Sequence, residues 1–139
     1  MNLSDNFTLE EMIFSRTALD NDIDNTPDDD VINNLKSLCE NLLEPLRGKL
    51  GKPIHILSGY RSEELNRAVG GVRSSQHRFG QATDITVEGM GHPELFNLIK
   101  NNFYFDQLIL EHVDEDKPFS GWVHVSFCKG KNRNQCLKI

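Results

Sequence analysis

Between Ile32 and Leu50 apolar residues recur every three or four positions: Ile32, Leu35, Cys39, Leu42, Leu43, Leu46 and Leu50. That period predicts a helix with one buried face. The residues ahead of it read as a helix start. Thr26 is the expected N-cap and Pro27 the expected first helical residue, while Asp28, Asp29 and Asp30 suit the positive end of the helix dipole. The acidic run is thus read as a solvated helix start and not as a calcium site. Pro45 predicts a kink or the end of the regular helix. A shorter helix is predicted earlier, from Leu9 to about Ala18. It opens on the capping box Thr8-Leu9-Glu10-Glu11, with Phe7 and Met12 as a hydrophobic staple.

Beyond Pro53 the pattern changes. Residues 54–60 read as a strand. Ser62 caps a short helix through Ala68, which Gly70 and Gly71 stop. Residues 83–87 read as a second strand. Pro93 starts a helix that carries Leu95, Phe96, Leu98 and Ile99 and ends near Asn101 and Asn102. Residues 105–111 and 122–127 are further strands, joined by a polar loop over 114–121. From Lys129 onward the chain reads as a basic, polar tail with little core. These elements predict a single α+β domain over residues 1–139, with strands in one sheet and helices beneath it.

Strand residues alternate between faces, and here the alternation carries the candidate chemistry. Thr83, Ile85 and Val87 share one face; Ala82, Asp84 and Thr86 share the other. Val123, Val125 and Phe127 oppose Trp122, His124 and Ser126. Leu108 and Leu110 oppose Gln107, Ile109 and Glu111. In one sheet with its apolar side covered, Asp84, Glu111 and His124 gather on the free side. His77 arrives from the loop ahead of Gly80. Two imidazoles and one carboxylate form a three-ligand set that suits zinc and leaves a fourth position open. A buried Asp84 needs such a partner, because an unpaired buried carboxylate is costly. His55, His92 and His112 occupy no comparable position; His92, just before Pro93, is expected at a helix start on the surface.

The totals narrow the function. Hydrophobic content of 37% and charged content of 26% are ordinary for a globular protein. A net charge of −6 argues against a nucleic-acid partner or an anionic membrane surface. No apolar stretch approaches the roughly 20 residues of a membrane span. Residues 1–7 lack a basic patch and an apolar run. No signal peptide is therefore expected, and the chain is expected to start in the cytoplasm and to reach an outside substrate after release or by another export route. The odd set Cys39, Cys128 and Cys136 does not form a disulfide framework, although Cys128 and Cys136 could pair in an oxidising setting. An iron site using those two cysteines is a weaker alternative.

The combined motifs carry a resemblance. Ser75-x-His77-x-x-Gly80-x-Ala82-x-Asp84-Ile85, followed by Trp122-Val123-His124-Val125-Ser126, resembles the zinc D-Ala-D-Ala carboxypeptidase family. Ser58-Gly59-Tyr60-Arg61-Ser62, ahead of Leu65-Asn66, is similar to its upstream motif. Asn6 to Glu11, Ile23 to Pro27, Asn34-Leu35 and Leu43 to Arg47 resemble a subgroup common in phages and prophages. The likeness spans about Leu3 to Phe127. It implies a small, mostly antiparallel sheet packed on helices, a fold shared with the hedgehog signalling domain. It implies one zinc ion held by His77, Asp84 and His124, and a peptidase acting on peptidoglycan peptides, either a D,D-carboxypeptidase or an endolysin-type endopeptidase. A zinc-containing binding module without catalysis is the alternative on the same fold.

Arg61 matches the arginine that holds or polarises substrate in that family. Many relatives carry a glutamate three residues before the last histidine ligand; here Gly121 stands there. In the phage-like subgroup the preceding strand ends in a glutamate, matched by Glu111, which makes Glu111 the expected general base. Asp114, Glu115 and Asp116 are the alternatives. Ser75 and Gln76 are candidates for orienting substrate or the ligand loop, with a local turn bond as the competing role. Trp122 shares the site face and is expected to wall the cleft or to serve the core. The domain is expected to act as a monomer on a peptidoglycan peptide.

Overall fold

Thr8 closes its capping box. Its hydroxyl accepts from Glu11 N at 3.2 Å, and Glu11 Oε1 accepts from Thr8 N at 2.9 Å. The computed structural model, which describes all 139 residues, shows that the helix so opened, α1 (Leu9–Ile13), stops early. Ser15 starts a second one, α2 (Arg16–Asp20), by accepting from Ala18 N at 3.2 Å. The helix expected to run to about Ala18 is therefore two. Serine competes for backbone donors, and Ser15 ends one helix by capping the next. A short ribbon, β1 (Asn2–Ser4) with β2 (Phe7–Thr8), leads into α1.

The acidic helix start is displaced by two residues. Asp28, not Thr26, caps α3 (Asp29–Leu38), accepting from Val31 N at 2.9 Å. Pro27 precedes the cap instead of opening the helix. After α3 a π-helical turn (Cys39–Leu43) leads into α4 (Glu44–Leu50). Pro45 has no N–H to donate, and its ring crowds the carbonyl four residues back. The wider turn just ahead of it gives that carbonyl room, so the helix continues past the proline. Leu35, Cys39, Leu42, Leu43 and Leu46 are fully buried, with Ile32 and Leu50 packed against them. Burial, with Glu11, Glu44 and Glu40 nearby, pushes the Cys39 thiol up to about 12, so it packs as a small apolar side chain.

The main sheet orders its strands β3 (His55–Ser58), β4 (Ala82–Thr86), β6 (Trp122–Ser126), β5 (Gln107–Glu111) and β7 (Gln135–Lys138). All neighbours are antiparallel except β5 and β7. The fold is thus α+β with a mostly antiparallel sheet. Ser62 caps α5 (Glu63–Ala68), accepting from Leu65 N at 3.2 Å. The last helix, α6 (His92–Asn102), buries Leu95, Phe96 and Ile99. These join Ile85, Leu108, Leu110, Val123 and Val125 and the α3–α4 stripe in one core. That core fixes the register. A slip of one residue would turn Asp84 and His124 into it. No helix is long and apolar enough to cross a membrane.

The segment read as a polar tail adds the edge strand β7. Asp106 anchors it. Its buried carboxylate accepts from Arg133 N at 3.0 Å and from Arg133 Nε and Nη2, each at 2.8 Å. Asp106 O also accepts from Gln135 N at 3.0 Å. The bonds from Arg133 bring the Asp106 pKa down to about 2. Cys128 and Cys136 are both free thiols.

Candidate metal centre

Asp84 and His124 face each other directly across the β4–β6 pair. His77 reaches them from a single 3₁₀ turn, Gln76–Phe79. Ser75 caps that turn, its hydroxyl accepting from His77 N at 3.2 Å. Gly80 ends it at φ +71°, where a Cβ would meet the Val31 carbonyl of α3 at 2.7 Å. Only glycine lets the turn sit this close to α3. Asn34 Nδ2 donates to Phe79 O at 2.8 Å and ties it down further.

Both imidazoles aim at one carboxylate oxygen. His77 Nε2 lies 3.3 Å and His124 Nδ1 3.0 Å from Asp84 Oδ1. His77 Nδ1 donates to Gly59 O at 2.7 Å, which leaves Nε2 with a bare lone pair in the neutral ring. Two ring nitrogens turned on a carboxylate need a proton or a cation between them. Metal–ligand bonds of about 2.05 Å put tetrahedral ligand atoms about 3.3 Å apart, close to both spacings. All three side chains are buried, their ligand atoms lie within 4.8 Å of one another, and no other His, Cys, Asp or Glu group is as suited to an ion. Burial raises the Asp84 pKa, but hydrogen bonds from His124 and His77 and their charge outweigh it. With protons on the facing nitrogens instead of a cation, the two rings hold the carboxyl well below its usual range.

Glu111 stands on the same sheet face, paired with Trp122 across the β5–β6 ladder. Trp122 Nε1 donates to Glu111 Oε2. The indole, whose ring lies 5.2 Å from that of His112, thus orients the carboxylate. Arg61 donates its backbone N–H to His77 O at 3.0 Å. Burial lowers the pKa of its guanidinium, while Asp84 and Glu111 raise it. Its Nε is buried without a protein partner.

Gly121 accounts for the departure at the position where many relatives carry glutamate. It has φ +63°, and a Cβ there would overlap the Glu111 carbonyl oxygen. No carboxylate can be carried at that point of this chain. Asp114, Glu115 and Asp116 are exposed in the loop, and Asp114 Oδ1 accepts from Asp116 N at 3.0 Å.

Two expected substrate residues have bonds of their own. Ser75 makes the local turn bond already described. Gln76 Nε2 donates to Asp106 Oδ2 at 2.7 Å, linking the ligand turn to the β7 anchor. His92, expected on the surface, is buried. Its Nε2 accepts from Thr86 Oγ1 at 2.8 Å and its Nδ1 donates to Ser120 O at 2.7 Å, so it pins the 114–121 loop. His55 and His112 are exposed and bind nothing at the centre. Sequence reasoning missed the Gly59 carbonyl and the Asp106 network. The first lies inside the Ser58–Ser62 motif; the second joins residues too far apart in the chain to form one.

Two candidate ligands on facing strands and a third on a capped turn leave a fourth coordination position open, an arrangement that suits a catalytic metal better than a closed structural one. The chain belongs to the peptidase M15 family, whose members are metal-dependent peptidases; the match covers residues 5–126 and so includes every residue of the centre. No curated protein sequence matches it.

Proposed function

We propose that this protein is a zinc-dependent peptidase that hydrolyses amide bonds in the stem peptides of bacterial peptidoglycan, as a D,D-carboxypeptidase or an endolysin-type endopeptidase. The observation that carries the reading is the convergence of two buried imidazoles on Asp84 Oδ1, with Glu111 on the same sheet face and the Arg61 backbone bonded to His77 O. Two nitrogens and a carboxylate oxygen suit zinc. When bound, zinc supplies Lewis acidity, polarising the scissile carbonyl and drawing the pKa of a water towards ~7. His77, Asp84 and His124 would hold it. Peptidoglycan as substrate rests on the likeness of the His77–Asp84 and Trp122–Ser126 segments to D-Ala-D-Ala carboxypeptidases.

Glu111 takes the proton of the attacking water and hands it to the leaving amine. Trp122 holds Oε2, leaving Oε1 for the proton. Arg61 offers the terminal nitrogens of its planar fork to the developing oxyanion or to a substrate carboxylate. The testing experiment is digestion of purified peptidoglycan by the zinc-loaded protein, with and without a chelator, with products read by mass. New peptide or D-alanine products are expected with zinc, and none with the chelator or in Glu111→Gln. A zinc-loaded wild type that releases nothing overturns the catalytic reading.

A further inference from the structure

Where α6 ends and the chain leaves β6, a second constellation lies outside the metal centre. An open cavity of about 560 Å³ is lined by Asn41, Asn102, Asn132, Asn134, Tyr104 and Phe127 among others, and none of its lining residues is charged. In a chain with 26% charged residues, a wholly neutral lining selects against an ionic ligand.

The four amides are fixed. Asn41 Nδ2 donates to Ser37 O at 2.9 Å, and Asn102 Nδ2 donates to Leu98 O at 2.8 Å. Asn132 Oδ1 accepts from Cys128 N at 2.8 Å, and Asn134 Oδ1 accepts from Phe105 N at 3.0 Å. Backbone partners settle which amide atom is oxygen and which nitrogen. Each side chain keeps its other half unused within the protein. Among the lining side chains, Asn41 and Asn102 therefore keep an acceptor oxygen, and Asn132 and Asn134 a donor nitrogen, for a ligand. Tyr104 is 78% exposed at its edge, which leaves the ring face open for a ligand to stack on. The same ring, with Asn102 and Asn134, lines an adjoining cavity of about 460 Å³ that also takes in Lys100, so the wholly neutral lining ends at Tyr104.

Neutral, oriented amides beside an exposed aromatic ring match hydroxyls and acetamido groups that both donate and accept, on a body with apolar C–H faces. We propose that this cleft binds a strand of N-acetylated sugars and holds the domain on the glycan of its substrate. The identity of the sugar rests on the peptidoglycan reading above. A glycan whose lactyl acids are amide-linked to peptides is uncharged, as the lining requires.

The test is titration of the isotope-labelled, zinc-loaded full chain with tri-N-acetylglucosamine, and separately with hexa-N-acetylglucosamine, both uncharged, followed by NMR. Saturable shifts are expected at the side-chain amides of Asn102, Asn132 and Asn134 and at Tyr104, with the His77 and His124 signals unmoved. Affinity should fall about tenfold in Tyr104→Ala. It should also fall in Asn102→Ala, which alters only an exposed side chain. Both variants should cleave a soluble stem peptide as the wild type does. No saturable shift with either probe, or unchanged affinity in both variants, overturns the proposal. Lost glycan binding with peptide cleavage intact leaves the peptidase reading standing. Glycan binding without cleavage upholds this cleft and removes the peptidase reading alone.

Discussion

Trp122→Phe isolates one hydrogen bond. The substitution keeps an aromatic ring at the same β6 position and against His112, but deletes the N–H that Glu111 Oε2 accepts. A hydrogen bond to an ionised group contributes ~1.5–3 kcal/mol. Both partners are half-buried, which places the loss at the lower end, about 1.5–2 kcal/mol, or ~10- to 30-fold in rate. The loss from orienting the base should fall on kcat, with any rise in KM reporting the part Trp122 plays as a wall of the cleft. Zinc content and Tm should match wild type. The assay is steady-state cleavage of a soluble stem peptide, repeated in a Glu111→Asp background, which keeps a carboxylate but withdraws it from the indole N–H. There the tryptophan substitution should add little, since the bond is already lost. An unchanged kcat in Trp122→Phe, or an equal further loss in the double variant, refutes the positioning role.

Gly121→Ala should lower stability by about 1–2 kcal/mol or more, because the alanine must adopt φ +63° and its Cβ overlaps the Glu111 carbonyl; an unchanged Tm would refute this. Asp106 has its pKa depressed to about 2, so its contribution is complete above the unfolded value of about 3.9 and is lost as pH falls towards 2. Discounted for the solvent-exposed Arg133, it amounts to about 1 kcal/mol. Urea midpoints between pH 5 and pH 2 should therefore fall less in Asp106→Asn than in wild type; parallel falls would contradict the linkage. Leu42→Ala, fully buried in the π turn, should cost ~2–5 kcal/mol with zinc affinity retained; a marginal Tm change would show that the turn does not pack as described.

The site was more legible in the chain than the elements around it. Period-two alternation in three short strands placed Asp84, Glu111 and His124 on one face, and β4, β5 and β6 pair in that register. Alternation survives because the opposite face is a core, and a slipped register would bury charge. What escaped was set by competition or by distance. Ser15 and Asp28 each took a cap that apolar spacing alone assigned elsewhere. Pro45 was accommodated by a wider turn, a choice made by packing of the leucine stripe. β7 is a polar edge strand whose place depends on Asp106, about thirty residues upstream, and no local pattern announces it. His92 looked like a surface helix start because its partners, Thr86 and Ser120, belong to other elements.

The central claim is that His77, Asp84 and His124 together hold a catalytic divalent ion. Zinc stoichiometry, measured by elemental analysis after dialysis against trace metal, tests it most directly in the wild type and in His77→Ala, Asp84→Ala, His124→Ala and Glu111→Gln. The account predicts one zinc per chain in the wild type and in Glu111→Gln, and none retained in the other three. Full zinc retention in His124→Ala or Asp84→Ala would contradict it.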